Sequence, residues 1–242
     1  MKICVAQTRP IKGDIQSNID NHKKLIDLAA SHGAETVIFP ELSFTGYEPE
    51  LSKELATNQY DSRFEEFQEI SDAKQIIIGV GVPTKYNAGI CISTVLFRPQ
   101  KARQTYSKKY LHPDEEEFFM SRQSSIGLIG KKSNIAIAIC YELSVPEHSE
   151  NAFERGAEIY IASVAKSESG VEKAIKMLAE IAKKYSMTVL MSSCIGKSGS
   201  FDYAGKSSIW NKKGSLIGQL NNTNEGILLF DTDTQELIKK MI

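Results

Sequence analysis

The sequence of 242 residues lacks a long apolar run and has no excess of charge of either sign. No window approaches the roughly 18 consecutive apolar residues of a membrane-spanning helix, so a membrane partner is not expected. The 29 Lys and Arg residues nearly balance the 30 Asp and Glu residues, for a formal net charge of -1. No overall field would therefore attract nucleic acid or an anionic membrane. We expect a small or neutral partner.

Export signals and metal-binding cysteine patterns are also missing. The opening segment "MKICVAQTRP" has too short an apolar stretch for a signal peptide, which favours the cytoplasm. The sequence contains only four cysteines, and none shows CxxC spacing: Cys4, Cys91, Cys140 and Cys194. This pattern indicates neither a zinc site nor a dense disulfide framework. We expect reduced thiols, as is usual in the cytoplasm.

The chain contains alternating strand and helix patterns. With 41% hydrophobic residues and no linker-like stretch, residues 1–242 are expected to form one domain. The runs "TVIF", "QIIIGV" and "IAIAI" are apolar at every position, which is typical of strands covered on both faces. "GICISTVLFRP" and "KARQTYSKKYL" favour neighbouring strands without a helix between them. Together these patterns predict a layered α/β fold with one mixed sheet, or two sheets face to face with helices outside.

Four segments predict helices by their apolar spacing, and two of them carry histidines that we do not expect to be catalytic. The segments are "NIDNHKKLIDLAASHG", "RFEEFQEISDA", "SVPEHSENAFERG" and "GVEKAIKMLAEIAKKYS". His22 lies in the first, where a solvated histidine is expected. His148 follows Cys140 by eight residues and could suggest a Cys-His pair. On a helix leading away from the strand it would lie about two turns from the thiol and face elsewhere.

Reactive side chains follow three of the predicted strands: Glu41, Lys108 and Cys140. Because strand ends converge on one rim of an α/β fold, the three could meet there. A thiol becomes a nucleophile only after losing its proton, so Cys140 needs a base and nearby positive charge. Glu41 could be the base, and Lys108, with the Tyr141 N–H, could stabilise an oxyanion. Taken singly, each is more readily explained as a structural residue: a turn glutamate, a solvated lysine or an inert core cysteine.

Three segments resemble the signature regions of the nitrilase superfamily, the carbon-nitrogen hydrolases: "FPELSFTGY", "YSKKYLHPDEEEFF" and "IAIAICYELSVPEH". The similarity continues in "VAQTRP" near the start and in "AGKSSIWNKKGSLIGQ" near the end. The resemblance implies a four-layer α-β-β-α sandwich that usually pairs into a homodimer. It also implies a hydrolase of a small linear amide that works through a thioester and needs neither a metal nor an organic cofactor.

The resemblance places the family's base on Glu41, its lysine on Lys108 and its nucleophile on Cys140. Lys108 is selected over Lys109 because the family's lysine lies three residues before a leucine, here Leu111. The candidates for binding substrate or supporting the site are Glu115, preferred as the family's second glutamate, its neighbour Glu116, and Tyr141, Tyr47, Ser163 and Val164.

The chain departs from the family pattern in two places. After the nucleophile it has Glu142 instead of Asp and Ser144 instead of Arg, and its later segment "SVAKSESG" lacks the usual Asn or Trp-Pro. We expect both changes to affect substrate selection more than the three reactive residues, and they leave the acyl group unnamed. Two alternative functions are hydrolysis of a small nitrile by the same thiol chemistry, and small-molecule binding on a scaffold that has lost catalysis.

Overall fold

A computed structural model of the chain describes residues 1–123, 127–132, 134–198 and 201–242. The helices in this part of the chain are α1 (Ile15–Ser31), α2 (Ser52–Leu55), α3 (Glu65–Lys74), α4 (Pro146–Glu154) and α5 (Glu168–Tyr185). Helix α1 begins after Asp14, whose side chain accepts the Ser17 N–H at 3.1 Å and so caps the first turn. Helix α4 begins with a proline, which has no N–H to leave unsatisfied there.

In the described ranges, the strands form two large sheets and one pair of strands. The strands are β1 (Lys2–Gln7), β2 (Thr36–Ile38), β3 (Ile77–Tyr86), β4 (Gly89–Arg98), β5 (Lys101–Ser107), β6 (Ile135–Ile139), β7 (Ile159–Val164), β8 (Thr188–Ser193), β9 (Ile195–Ser198), β10 (Phe201–Ala204), β11 (Ser208–Trp210), β12 (Leu216–Gln219), β13 (Gly226–Asp231) and β14 (Leu237–Met241). One sheet has seven strands in the order β14-β13-β1-β2-β3-β4-β5, and the other has five in the order β12-β11-β8-β7-β6. Strands β9 and β10 pair with each other.

The two large sheets pack face to face. Because side chains alternate along a strand, every second residue of β1 and of β6 points to the same face. Ile3 and Val5 of β1 lie in one buried apolar cluster with Ile135 and Ile137 of β6. This cluster is the core between the sheets.

Helices cover the two outer faces. Cys4 of β1 packs with Leu25 of α1 and Phe67 of α3 on the outer face of the seven-stranded sheet. Ala138 of β6 packs with Leu178 of α5 on the outer face of the five-stranded sheet. The layers therefore follow the order helix, sheet, sheet, helix, which confirms the predicted four-layer α-β-β-α sandwich.

This architecture brings the ends of strands from both sheets together. Glu41 lies three residues beyond β2 and Lys108 directly after β5, both strands of the seven-stranded sheet. Cys140 lies directly after β6, at the edge of the five-stranded sheet. The three residues thus come from three elements in two sheets.

Several elements were not predicted. Helix α1 starts at Ile15 rather than at Asn18, and β9, β10, β12 and β14 were missed. Strands β12 and β14 lie at the outer edges of the two sheets, with mostly exposed or half-buried side chains, so they lack the apolar pattern that marks a buried strand.

Among the residues whose structure is described, no helix has both the length and the apolar character needed to cross a membrane.

Candidate active site

A buried group of three charged side chains lies at the strand ends. The Lys108 ammonium is fully buried, and its Nζ lies 2.8 Å from Glu41 Oε1 and 2.7 Å from Glu115 Oε1. The Tyr47 hydroxyl donates a further hydrogen bond to Glu115 Oε1 at 3.0 Å. An ammonium has three N–H donors, so two are used here and one is left for another acceptor. The group thus brings two carboxyl groups and one ammonium together away from water.

Cys140 begins a short 3-10 turn, Cys140–Ser144, directly after β6. Its φ angle is +46°, a conformation that costs free energy for any residue other than glycine and that occurs often at functional sites. The thiol is buried, with Sγ 4.0 Å from the Ala165 carbonyl oxygen. It also lies close enough to Glu41 to stabilise the charged form of that carboxylate. Nevertheless, Glu41 Oε2 has no hydrogen-bond partner in the described residues, which leaves this oxygen able to accept a proton.

Burial and neighbouring charges shift the pKa values of all three reactive groups. Burial is the largest influence on Glu41, and the pKa of this carboxyl group is raised even though the Lys108 ammonium lowers it. Burial lowers the pKa of Lys108, but Glu41, Cys140 and Glu115 together raise it by more, so the ammonium stays charged at neutral pH. Burial and the Glu41 charge raise the pKa of Cys140 to about 11, which makes it a protonated thiol at neutral pH. The site therefore contains a thiol that needs a base, beside a carboxylate with raised proton affinity.

The two candidate glutamates of "DEEE" lie in different environments. Glu115 is almost fully buried and contacts Lys108, as described above. Its other carboxylate oxygen accepts the His112 N–H at 2.8 Å. Glu116 is exposed. The structure brings Glu115 into the site and leaves Glu116 at the surface.

The remaining candidates lie near the site with less direct contacts. Tyr141, next to the nucleophile, is half-buried. Ser163, at the end of β7, is buried and donates its hydroxyl to the Phe39 carbonyl at 2.8 Å, which ties the five-stranded sheet to the segment after β2. Val164 is fully buried in the same apolar cluster as Cys140. Contact of Tyr141, Ser163 or Val164 with a substrate stays a prediction.

Two residues near the nucleophile were not proposed as site residues from the sequence. Lys166 lies just beyond Ala165, is half-buried, and its charge lowers the pKa of Cys140. Its signal in the sequence was a lysine in the divergent segment "SVAKSESG". Glu142 was assigned to substrate selection, but it is fully buried and its carboxylate accepts backbone N–H groups of Ile139 at 2.8 Å and Lys109 at 2.6 Å. An effect of Glu142 on substrate selection stays a prediction.

The histidine predictions had different outcomes. His22 is fully buried, and its Nε2 lies 2.9 Å from the Ser43 hydroxyl, so the prediction of a solvated side chain is wrong. Burial lowers the pKa of His22 to about 4, which keeps the ring neutral beneath the segment that carries Glu41. His148 contacts the hydroxyls of Tyr106 and Tyr160, each at 2.8 Å.

Within the described ranges, no group of three or more His, Cys, Asp or Glu side chains is arranged to hold a metal ion.

Comparisons with known proteins place this site in context. The family model described as "Carbon-nitrogen hydrolase" matches residues 2–239. The chain is 24% identical over 244 residues to the "Hydrolase in agr operon" of Staphylococcus aureus, covering 98% of this chain and 93% of that protein. It is 23% identical over 259 residues to a nitrilase of Pyrococcus abyssi, covering 100% and 93%. Among solved structures, a mutant amidase from Nesterenkonia sp. AN1 matches with a TM-score of 0.84 and 22% identity, covering 95% of this chain and 89% of that one. In that mutant the acetamide moiety of fluoroacetamide is covalently added at the active-site cysteine.

Proposed function

The chain belongs to the carbon-nitrogen hydrolase family of the nitrilase superfamily and is an enzyme of that class, and from this membership we propose that its substrate is a small linear amide. The observation that carries the proposal is the thiol of Cys140 beside the buried ion group of Glu41, Lys108 and Glu115. This arrangement offers a nucleophile, a base and a cation at one place, as attack on a carbonyl carbon requires.

In the proposed mechanism, Cys140 Sγ attacks the amide carbon while Glu41 takes the thiol proton. The carbonyl π electrons move to oxygen, and the third N–H of Lys108, with the Tyr141 N–H, stabilises the oxyanion. The tetrahedral intermediate collapses, Glu41 passes its proton to the leaving nitrogen, and ammonia or an amine departs from a thioester. Glu41 then takes a proton from water, the hydroxide attacks the thioester, and the acid leaves as Cys140 regains its proton.

The protonation states described above support Glu41 as the base. Since the Cys140 pKa is about 11, the thiolate is scarce at neutral pH and must form as attack occurs. Glu41 has raised proton affinity and an unpartnered oxygen, Oε2, among the residues described. General-base transfer of this kind contributes about 10²–10⁴-fold to a rate. Glu115 is proposed to hold Lys108, together with Tyr47, rather than to transfer protons.

The test is trapping of the acyl-enzyme with hydroxylamine during turnover of a short aliphatic amide. Wild type should form the hydroxamate and Cys140→Ala should not. Cys194→Ala is the matched control, because Cys194 is also a buried thiol and its Sγ lies 3.9 Å from the Glu41 carbonyl oxygen. Equal hydroxamate yields from wild type and Cys140→Ala would show the mechanism to be wrong.

The competing nitrile activity is separated by ammonia release from matched amides and nitriles of the same chain length. We expect turnover of the amides. Turnover of the nitriles alone would replace the amide proposal by a nitrilase activity. If neither class reacts and Cys140 is also inert to dilute iodoacetamide near neutral pH, the binding-scaffold alternative is favoured.

The family resemblance also leads us to propose a homodimer located in the cytoplasm. The exposed apolar side chains of Phe153 on α4 and Met177 on α5 support pairing through that helical layer. Light scattering at working concentration should give twice the 26.9 kDa chain mass. A monomer mass would contradict the dimer, and recovery of the protein outside the cytoplasmic fraction would contradict the location.

A further inference from the structure

Among the residues that the structure describes, Glu142 is the buried carboxylate with the most hydrogen bonds that the proposed mechanism does not use. It lies two residues after Cys140 and is fully buried. Its Oε2 accepts the Ile139 N–H at 2.8 Å and the Tyr106 hydroxyl at 2.7 Å. Its Oε1 accepts the Lys109 N–H at 2.6 Å. Both oxygens therefore act as acceptors, a role that an ionised carboxylate fills well.

These hydrogen bonds join the two segments that carry the reactive residues. Ile139 directly precedes Cys140, and Lys109 directly follows Lys108. Strands β5 and β6, which lead into these segments, are edge strands of different sheets. In the described residues no ladder of backbone hydrogen bonds connects these two strands, so side chains must set their separation. Glu142 holds one backbone N–H from each segment with a single rigid carboxylate.

A second row of side chains holds Glu142 in place. Because the carboxylate can only accept, Tyr106 donates its O–H to Glu142, and its oxygen is left to accept from His148 Nε2 at 2.8 Å. His148 Nδ1 then accepts from the Tyr160 hydroxyl at 2.8 Å. Every donor in this row of hydrogen bonds points toward Glu142. His148 is therefore the neutral tautomer with its proton on Nε2. Burial lowers the pKa of His148, in agreement with a neutral ring.

We propose that Glu142 is a positioning residue that sets the placement of Cys140 relative to Lys108. It does so by accepting the backbone N–H of Ile139, at the end of β6, and the backbone N–H of Lys109, in the segment after β5. It touches neither substrate nor the reacting atoms. The consequence for activity rests on the proposed function, whereas the consequence for thiol reactivity does not. A displacement of about 1 Å between reacting groups can cost about 100-fold in rate, so a misplaced Cys140 should be slow even in a folded protein.

The test variant is Glu142→Gln, which keeps the size of the side chain but replaces one oxygen by NH2. Whichever position the NH2 takes, it faces a backbone N–H that has lost its acceptor, so one of the two segments is released. The matched control is Glu147→Gln, because Glu147 lies close by on α4 and is exposed. Alkylation of Cys140 by iodoacetamide is followed by peptide mass spectrometry, with urea unfolding measured on the same samples.

We expect Glu142→Gln to slow alkylation of Cys140 by about tenfold or more and to lower kcat for the amide by a similar factor, while KM changes by less than about threefold. Glu147→Gln should match wild type. A merely structural role would lower the urea midpoint but leave the alkylation rate of the folded protein unchanged, and that result would overturn the proposal.

Glu142→Asp is the second test variant, for use if Glu142→Gln does not fold. It keeps the carboxylate but is one methylene shorter, so it can bond only one of the two segments at a time. It should also slow alkylation, and a wild-type rate in folded Glu142→Asp overturns the proposal as well. If wild type is alkylated at Cys140 but turns over no amide, the proposed substrate fails, and the comparison of alkylation rates still decides the role of Glu142.

Discussion

Replacing Lys108 by methionine should expose the cost of the buried carboxylate pair. The change removes the ammonium that lies 2.8 Å from Glu41 and 2.7 Å from Glu115 and substitutes an apolar side chain of similar length. Two carboxylates about 5 Å apart repel each other by about 3 kcal/mol at an effective dielectric constant of about 20. Breaking a buried ion pair by removing one partner typically costs about 3–5 kcal/mol. We therefore expect the free energy of unfolding to fall by about 3–5 kcal/mol at pH 8.

The loss should depend on pH in a defined direction. Without Lys108, the pKa of Glu41, which burial already raises, rises further above that of the unfolded chain. A carboxyl group with a raised pKa in the folded state stabilises the fold below its unfolded pKa, and that stabilisation is lost as pH rises through the folded value. The difference between Lys108→Met and wild type should therefore be smaller at pH 5 than at pH 8.

Urea unfolding followed by the fluorescence of Trp210 at both pH values measures this difference. Lys109→Met is the control, because its ammonium contacts only the Tyr110 hydroxyl among the hydrogen bonds of the described residues. The double variant Lys108→Met/Glu115→Gln removes one of the two like charges, so it should recover part of the stability but no activity. Equal losses at pH 5 and pH 8, or wild-type stability at pH 8, would refute the reasoning.

Three further predictions concern His22, Glu41 and Lys166. The pKa of His22 is about 4 in the fold against 6.5 for the free side chain, so its contribution to stability is present above pH 6.5 and is lost as pH falls toward 4, by up to about 3 kcal/mol. In urea unfolding His22→Gln should abolish this pH dependence and His32→Gln should keep it; the same acid loss in His22→Gln would contradict the assignment. Because the pKa of Glu41 is raised, kcat/KM should fall as pH falls through that raised value. Glu41→Gln should lower kcat by about 10²–10⁴-fold and should also remove this decrease of kcat/KM at acid pH. If the decrease persists in the variant, Glu41 is not the base. The positive charge of Lys166 near Cys140 should attract anionic reagents to the thiol. Lys166→Met should therefore slow alkylation of Cys140 by the anion iodoacetate up to about tenfold more than alkylation by neutral iodoacetamide, which is equivalent to about 1.4 kcal/mol. Equal slowing with both reagents would show that Lys166 does not attract anions to the thiol.

Much of the layered fold could be predicted because its buried strands are apolar on both faces. "TVIF", "QIIIGV" and "IAIAI" correspond to β2, β3 and β6, which lie inside their sheets or under helices and loops. The edge strands β12 and β14 could not be predicted in this way, since solvent covers one of their faces and polar side chains interrupt the pattern.

The candidate site, like the fold, could be predicted only in part from the sequence. Strand ends and family resemblance pointed to Glu41, Lys108 and Cys140, and the structure brings these three together. The family resemblance preferred Glu115 over Glu116, and the structure buries Glu115; the acidic run alone does not encode which side of this short turn faces inward.

The buried positions of His22 and Glu142 could not be predicted from the sequence for a different reason. Each is a polar side chain that is buried because its hydrogen-bond partners come from distant parts of the chain. Ser43 lies 21 residues from His22, and Lys109 lies 33 residues from Glu142. Local spacing carries no information about such partners.

The origin of the three reactive residues in two separate sheets has a consequence for how the enzyme fails. Glu41 and Lys108 move with the seven-stranded sheet and Cys140 with the five-stranded one, so a small slip between the sheets misaligns the chemistry while each sheet keeps its own ladders intact. Mild heating or a low concentration of denaturant should therefore abolish turnover before circular dichroism shows a loss of secondary structure. Substitutions in the apolar core between the sheets, far from the reactive residues, should lower the rate of turnover in the same way.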